Sequence, residues 1–467
     1  MLKSPATGSV LRSARRSDAD RYPSGSLVIC LVLAIIALVL AQQATAAGRP
    51  EKQELKIGFI KLTDCAPLIV AYENGYFEDE GLYVTLEAQA NWKVLLDRVI
   101  DGSLDASHML PGQPLGAAFG IGGKADLVAI AGMGVNTLAV TMGNSVWSQM
   151  KANIPMEDGK PVHPIQAQAL EPVVNATSAS GTRFNLGMVF PTSTHNYALR
   201  YWLAAGGIHP GLYTPADANG TTDGMVQLSV TPPPQMPATL GAGTILGYSV
   251  GEPWNQQAVI KGIGVPVITA GEIWSRMPEK VVGTRREFAD RNPNTVRAIV
   301  RAVIRAEQWL DADKGANRPE LARMLSRPEY VGADYNVLVG PLTGNYQYEK
   351  DDIRPAPGMN VYYASFAGYP FYGDAIWYLT QMRRWGQIPD EQTDAWYDEI
   401  AKKVYRPDIY RDAANDLIAS GDMQAADLPP ADSYAAPPSQ FIDGIVFDPA
   451  TPNAYLGKFA IGTAGQK

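Results

Sequence analysis

Cysteine and histidine are scarce in this sequence, which has two cysteines and four histidines among 467 residues. Cys30 lies in an apolar N-terminal stretch that we expect to be removed, so Cys65 is left without a partner for an intramolecular disulfide. The histidines are far apart along the chain, at His108, His163, His195 and His209. No cysteines and histidines occur at the spacing of a metal site, and we expect neither a metal ion nor a cofactor.

Charged residues are also few, at 18% of the chain, and the formal net charge is -8. An acidic protein is a poor non-specific partner for nucleic acid, and the sequence has no run of Lys and Arg with interleaved aromatics. The motif HExxH and the P-loop are absent from it as well. The composition therefore excludes a nucleic-acid-binding class and indicates no enzyme.

The first residues have the order of a secretory signal peptide. Arg12, Arg15 and Arg16 form a basic region, residues 26–41 are almost wholly apolar, and QQATAAG supplies a cleavage site of small residues. We predict a signal peptide at residues 1–46 and export to the periplasm. The alternative is an uncleaved anchor, although an apolar run of about sixteen residues is short of the roughly 20 that span a bilayer.

The remaining chain alternates strand-like and helix-like segments, which is typical of an α/β fold with largely parallel sheets. We predict two lobes, each a mostly parallel sheet flanked by helices, followed by a helical C-terminal part. Lobe I takes residues 51–140 and 281–467, and lobe II takes residues 141–280. Doubly wound sheets bind ligands at the carboxyl ends of their strands, so we expect a ligand cleft between the lobes.

The segment FPTSTHNYALRYWLAAGG combines a strand end, a polar turn and a helix start. We predict Thr194 as the N-cap and His195 in the first turn, where free N–H groups and the helix dipole favour an anion. A solvent-facing His195 is the alternative. Lys280 is either an anion partner or a solvated lysine, and Trp92 and His108 are either ligand contacts or core residues.

Several segments, taken in order, resemble the nitrate/bicarbonate solute-binding proteins of ABC importers, over residues 55–456. The segments are LKIGFIKLTDCAPLIVAYENGYFEDEGL, LDASHMLPGQPL, FPTSTHNYALRYWLAAGGI, PPPQM, SVGEPWNQQAVIKGIGVPVITAGEIW, PEKVVGTRREFADRNP, IWYLTQMRRWG and FIDGIVFDPATPNAYL. The resemblance implies a two-lobed periplasmic-binding-protein fold of type II with its ligand in the interlobe cleft.

The resemblance also implies a set of anion contacts. The tryptophan, histidine and lysine of the nitrate-binding members fall on Trp92, His195 and Lys280. The wall of the cleft falls on Pro233, Val250 and Gly251. Since we expect His195 and Lys280 to line an open cleft, we expect their replacement to change folding little.

One position departs from the nitrate-binding pattern. The family glutamine falls in GVNTLAV, where this chain has Leu138, which cannot donate to an oxygen. Either the neighbouring Asn136 and Thr137 substitute as ligand contacts, or the ligand differs. A buried anion with one charge-assisted hydrogen bond fewer binds more weakly by roughly 1–3 kcal/mol.

The function that the resemblance implies is capture of nitrate or nitrite and delivery to the permease subunits of an ABC transporter, without catalysis. Binding of bicarbonate or of an organic anion such as a sulfonate is the alternative. Lys280 favours nitrate, because the bicarbonate-binding relatives use a calcium ion that a lysine would repel. A nitrate sensor and a thiamine-precursor synthase are further alternatives, and the export signal argues against both.

Overall fold

The computed structural model describes residues 48–214, 221–388 and 390–462, and these build an α/β unit around two large mixed sheets. The predicted signal peptide, residues 1–46, lies outside the described residues. The α/β alternation predicted from the sequence is confirmed. No helix within the described ranges has the length and apolar character needed to cross a membrane.

The strands of the first sheet are β1 (Glu54–Phe59), β2 (Tyr83–Ala88), β3 (Ala106–Met109), β4 (Leu127–Gly132) and β13 (Val281–Arg285). Their order across the sheet is β2-β1-β3-β13-β4. Strands β1, β2 and β3 run parallel, and β13 pairs antiparallel with both β3 and β4. The chain thus leaves this sheet after β4 and returns to it at β13.

The second sheet takes all its strands from the chain between β4 and β13. The strands are β5 (Leu138–Gly143), β8 (Asn185–Met188), β9 (Thr222–Asp223), β10 (Gln227–Val230), β11 (Gly247–Gly251) and β12 (Gly264–Thr269). Their order across the sheet is β12-β5-β11-β8-β10-β9. Strands β8, β10 and β11 are parallel, whereas β5 runs antiparallel to β11 and β12. The lobe boundary predicted after residue 140 cuts β5, and the division into lobes stays a prediction.

Helices flank both sheets, and small hairpins join Met156–Glu157 to Lys160–Pro161 and Asn345–Glu349 to Asp352–Pro355. The helices up to β13 are Ala66–Glu73, Tyr76–Asp79, Trp92–Ile100, Gly112–Ala118, Asn144–Met150, Glu171–Ala179, Thr194–Ala205, Met236–Gly241, Trp254–Ile260 and Ala270–Ile273. Those after it are Arg286–Arg291, Pro293–Asp311, Arg318–Leu325, Tyr335–Leu342, Tyr372–Arg384, Asp394–Val404, Pro407–Ser420 and Pro452–Leu456. The helical C-terminal part is therefore as predicted.

The pattern of buried residues differs between the strands and the helices. Every residue of β4 and β12 is buried, as expected for strands covered on both faces. Helix Pro293–Asp311 instead has an apolar face, with Val296, Ile299 and Val303 fully buried, and a charged face toward water.

Two connecting segments, residues 133–138 and 275–280, join the sheets and run side by side. The amide of Met133 donates to the carbonyl of Lys280 at 2.9 Å, and the amide of Asn136 donates to the carbonyl of Met277 at 3.0 Å. Asn136 has a positive φ of 59°, and its Oδ1 accepts from the amide of Met277 at 2.9 Å. The polar residues that precede β5 and β13 are thereby held next to each other.

The partly buried carboxylate of Asp311 links the end of helix Pro293–Asp311 to the chain that supports these segments. Asp311 Oδ2 accepts from the amides of Tyr362, Tyr363 and Ala364 at 2.7–3.1 Å. Its Oδ1 pairs with Arg318 at 2.6 Å. Since the Tyr362 hydroxyl donates to the carbonyl of Thr63 at 3.1 Å, Asp311 also positions the loop after β1.

We expect Asp311→Ala to lower the free energy of unfolding by about 3 kcal/mol, because it leaves three amides and a guanidinium without their acceptor. Urea unfolding followed by tryptophan fluorescence measures the change. Asp412→Ala, at an exposed helix position, is the control and should shift stability by less than about 0.5 kcal/mol. Equal stabilities for the two variants would contradict the role given to Asp311.

Candidate functional site

Helix Thr194–Ala205 begins at the carboxyl end of β8 and places His195 in its first turn, as predicted. The predicted N-cap was wrong by one residue, since the Ser193 side chain accepts from the amide of Asn196 at 3.0 Å. Thr194 is already helical, and its hydroxyl donates to the carbonyl of Pro278 at 3.2 Å. His195 is fully buried, and neither ring nitrogen has a hydrogen-bond partner among the described residues.

Lys280 lies in the same buried region and forms an ion pair. Its Nζ is 2.5 Å from Asp64 Oδ2 and 3.7 Å from Glu279 Oε2. Lys280 is 1% exposed and Asp64 is 0% exposed. The expectation that His195 and Lys280 line an open cleft is wrong, because both side chains are enclosed. That their replacement changes folding little stays a prediction, and the pairing of Lys280 with a buried carboxylate argues against it.

His108, on β3, belongs to the same buried cluster as Asp64, Glu279 and Lys280. Its Nε2 lies 2.9 Å from Asp64 Oδ1, and its Nδ1 accepts from the amide of Ile60 at 3.3 Å. Because Nδ1 accepts, the ring proton is on Nε2, where it faces the carboxylate. His108 is thus a core residue that also orients Asp64.

Trp92 stands at the start of helix Trp92–Ile100, which the Asn91 side chain caps by accepting from Val94. Its ring centroid is 5.8 Å from Lys280 Nζ and 5.2 Å from the ring centroid of His108. The indole is fully buried, and its Nε1 has no hydrogen-bond partner among the described residues. The structure therefore brings Trp92, His195 and Lys280 into one buried region, and the role as anion contacts that the family resemblance implies stays a prediction.

Gly251 lies between the two halves of this cluster, at the end of β11. A Cβ placed on Gly251 would be 3.3 Å from Asp64 Oδ2 and 3.5 Å from His195 Nε2. Val250 precedes it in the strand and pairs with Ala139, and its carbonyl accepts from Asn255 at 2.8 Å. The predicted cleft wall therefore reaches the cluster at Gly251.

Pro233 is buried at the start of a 3-10 turn after β10, and no described contact joins it to the cluster.

Asn136 is not brought into the cluster. Its Nδ2 donates to the carbonyls of Ser275 and Gly358, at 2.7 and 3.0 Å, and its Oδ1 accepts from Met277. The amide group is used to hold the connecting segments together. Leu138, at the position of the family glutamine, is fully buried at the start of β5.

Thr137 does lie at the cluster, between two carboxylates. Its hydroxyl oxygen is 2.6 Å from Glu279 Oε2 and 3.1 Å from Asp64 Oδ2. Glu279 Oε1 accepts from the amides of Thr137 and Leu138, at 2.6 and 2.9 Å. Thr137 and Leu138, where β5 begins, thus contact the Glu279 carboxyl group through two backbone amides and one hydroxyl group.

Burial and neighbouring charges set the protonation of these groups. Burial alone would raise the pKa of Asp64, but Lys280 and His108 outweigh it and hold that pKa well below its usual range. Burial raises the pKa of Glu279 to about 7. Burial, with Lys280 nearby, lowers the pKa of His195 far below its usual value, so that its ring is neutral at pH 7.

Sequence reasoning missed the two acidic members of the cluster, Asp64 and Glu279. A signal for each was present: Asp64 follows the carboxyl end of β1, and Glu279 adjoins Lys280 in PEK. A cavity of about 630 Å³ lies away from the cluster, beside Trp274, Phe371 and Phe447, and none of the predicted site residues lines it. No group of three metal-ligating side chains occurs in the part of the chain that the structure describes.

We expect Lys280→Met to lower the free energy of unfolding at pH 7 by about 3 kcal/mol, because Asp64 stays buried without its cation. In the parent the depressed pKa of Asp64 contributes stability above its unfolded-state pKa of about 4, and that contribution is lost as the pH falls. The difference between parent and variant should therefore shrink below about pH 4. Urea unfolding at pH 7 and pH 3.5 checks both statements.

The matched control is Lys261→Met, at an exposed position. A Lys280→Met protein as stable at pH 7 as the control would show that the ion pair contributes nothing to folding.

Comparisons with known proteins agree on one family. Residues 48–326 match the model of the NMT1-like family. The chain is 31% identical to the nitrate/nitrite binding protein NrtA of Nostoc over 90% of this chain and 89% of the relative. It is 28% identical to the bicarbonate-binding protein CmpA of Synechococcus elongatus, with 90% of each chain covered.

Among solved structures, the periplasmic nitrate-binding protein NrtA from Synechocystis superimposes with a TM-score of 0.76 at 30% identity, covering 89% of this chain and 100% of that one. The predicted periplasmic-binding-protein fold is thereby confirmed. The chain belongs to the NMT1-like family, in which it is related along nearly its whole described length to solute-binding proteins of the nitrate-binding type.

Proposed function

We propose that this protein is exported by its N-terminal signal peptide and acts in the periplasm as the solute-binding component of an ABC importer. It captures nitrate or nitrite and delivers the anion to the permease subunits. The family membership supports the binding role, and the relatives named for nitrate support the ligand. The protein binds its ligand and carries out no reaction on it.

The observation that carries the proposal is a buried set of unpartnered donors. His195 and Trp92 are fully buried, and their ring nitrogens bond to no described residue. The Trp92 ring centroid lies 5.8 Å from Lys280 Nζ, and the Lys280 charge acts on His195. Leaving such groups unpaired is costly, and a small oxyanion supplies acceptors for them. Nitrate has three acceptor oxygens and no donor, which fits a site made of an imidazole, an indole and an ammonium.

The helix start adds a further contribution at the same place. His195 lies in the first turn of a twelve-residue helix, whose free N–H groups and dipole favour an anion. The protein as a whole carries a net charge of -8, so the attraction for an anion must be local. The site residues of the proposal are Trp92, His195, Lys280 and the backbone at Gly251.

We expect His195→Ala to weaken nitrate binding by about 1–3 kcal/mol, which is about ten- to a hundredfold in Kd. The substitution removes one donor and leaves the ammonium and the helix start in place. Isothermal calorimetry of the mature protein with sodium nitrate measures the change, and circular dichroism verifies the fold. His209→Ala, at a half-buried histidine outside the cluster, is the matched control and should bind as the parent does.

The same titration of the parent with nitrite, a sulfonate, and bicarbonate with and without calcium tests the ligand. Tight binding of bicarbonate or a sulfonate without binding of nitrate would refute the nitrate proposal and assign a change of substrate to Leu138. Unchanged nitrate affinity in His195→Ala would place the anion elsewhere.

We expect Gly251→Ala to abolish most nitrate binding while the protein stays folded. The added methyl group would stand 3.3 Å from Asp64 Oδ2 and 3.5 Å from His195 Nε2, in the space that we assign to the anion. Gly358→Ala, where a Cβ meets no atom within 4 Å, is the control for a glycine replacement. Nitrate binding by Gly251→Ala as tight as the parent's would exclude this location.

A further inference from the structure

The buried cluster contains more acidic groups than basic ones. Asp64 and Glu279 in the cluster and Glu252 outside it are all 0% exposed, and Lys280 is the buried lysine that faces the first two. The Lys280 ammonium is already paired with Asp64 at 2.5 Å. An anion that enters this cluster therefore meets a lysine whose charge is largely compensated, and an ionised Glu279 would add a second repulsive charge.

The contacts of Thr137 show how the structure accommodates two neighbouring carboxyl groups. Its hydroxyl oxygen lies within hydrogen-bond distance of both Glu279 Oε2 and Asp64 Oδ2, at 2.6 and 3.1 Å. A hydroxyl has one proton to donate, so it cannot satisfy two ionised carboxylates at once. Both contacts are favourable when Glu279 is protonated on Oε2 and donates to Thr137, which in turn donates to Asp64.

We propose that the site takes up one proton together with its anion, that Glu279 holds this proton on Oε2, and that Thr137 connects it to Asp64. The inference rests on the proposed function and specifies the ligand as an anion plus a proton. The proton comes from solvent and forms the Oε2–H bond of Glu279, and no bond of the anion is made or broken. The cluster with its anion then carries one negative charge less than it would with Glu279 ionised.

His108 is excluded as the proton carrier by its hydrogen bonds. Its Nδ1 accepts from the amide of Ile60, so a second ring proton would face an N–H group. His195 lies beside the Lys280 ammonium, which together with burial keeps its ring neutral. Glu279 instead has an acceptor for its proton in the Thr137 hydroxyl, and burial already raises its pKa to about 7.

The charged and titratable groups around Glu279 come from several elements. Lys280 adjoins it in the chain, and Asp64 approaches from the loop after β1. Glu252, which accepts from the Tyr346 hydroxyl at 2.7 Å, interacts with Glu279 through its charge. Tyr378 stays neutral, because burial raises its pKa well above the usual value. None of these except Lys280 and Asp64 contacts the region assigned to the anion, so Glu252 serves as a control position.

The test is titration of the parent protein with sodium nitrate from pH 6 to pH 9. Nitrate does not titrate in this range, so any pH dependence belongs to the protein. We expect an affinity that is constant to about pH 7 and then falls by up to about tenfold per pH unit, because Glu279 must first regain its proton. Calorimetry at pH 8 in buffers of different ionisation enthalpy should count about one proton taken up per anion.

Glu279→Gln keeps the shape of the protonated carboxyl group and donates to Thr137 through its amide. We expect its nitrate affinity to be the same at all these pH values and to exceed the parent's at pH 9 by more than about tenfold. Glu252→Gln, the matched control at another buried carboxyl group with a raised pKa, should keep the parent's pH dependence.

Nitrate binding by the parent that does not change between pH 7 and pH 9, or that takes up no proton at pH 8, would overturn the inference and leave the proposed function standing. A Glu279→Gln protein that keeps the parent's pH dependence would overturn the assignment to Glu279. If the parent binds no nitrate at any pH, the proposed function fails and this inference fails with it.

Discussion

The buried ion pair between Lys280 and Asp64 is the interaction on which the site depends. Its two partners come from chain segments more than two hundred residues apart: the loop after the first strand of one sheet, and the last residue before the strand that returns to that sheet. The side-by-side connecting segments hold Lys280 in place, and Tyr362 and Glu252 hold the loop that carries Asp64 through the backbone of Thr63. Because a buried charge without a partner is costly, this pair links the position of the loop to that of the connecting segments.

The sequence predicted the fold because alternating strands and helices, with fully apolar strands, are a local signal. It also predicted Trp92, His195 and Lys280, which the structure brings together, although the resemblance to a known family contributed most to that choice. Asp64 and Glu279 could not be found in the same way. A buried acidic residue and a solvated one look alike in sequence, and only the packing of distant segments shows that these two carboxyl groups face one ammonium.

Asn136 and Thr137 illustrate the limit of reasoning from neighbours in sequence. Both carry donors next to Leu138, and their substitution for the family glutamine was one of two alternatives, the other being a different ligand. The structure uses Asn136 at a positive φ to bridge the connecting segments, so its donors are consumed by backbone carbonyls. Thr137 reaches the cluster, but its hydroxyl lies between two acidic side chains. Adjacent residues in an irregular segment point in different directions, and periodicity does not resolve them.

A site for a small anion must supply both a compensating positive charge and hydrogen-bond donors that point at its oxygens. In this cluster different groups supply the charge and the donors. The neutral rings of His195 and Trp92 and the helix start supply directed N–H donors without net charge. The ammonium supplies the charge, but Asp64 compensates it and fixes its position. Glu279 also contacts Thr137 and the lysine, and in our proposal its protonation decides the balance of charge at the site. Under this proposal an acidic protein can hold an anion, because Lys280 compensates the charge of Asp64 and one proton removes the charge of Glu279.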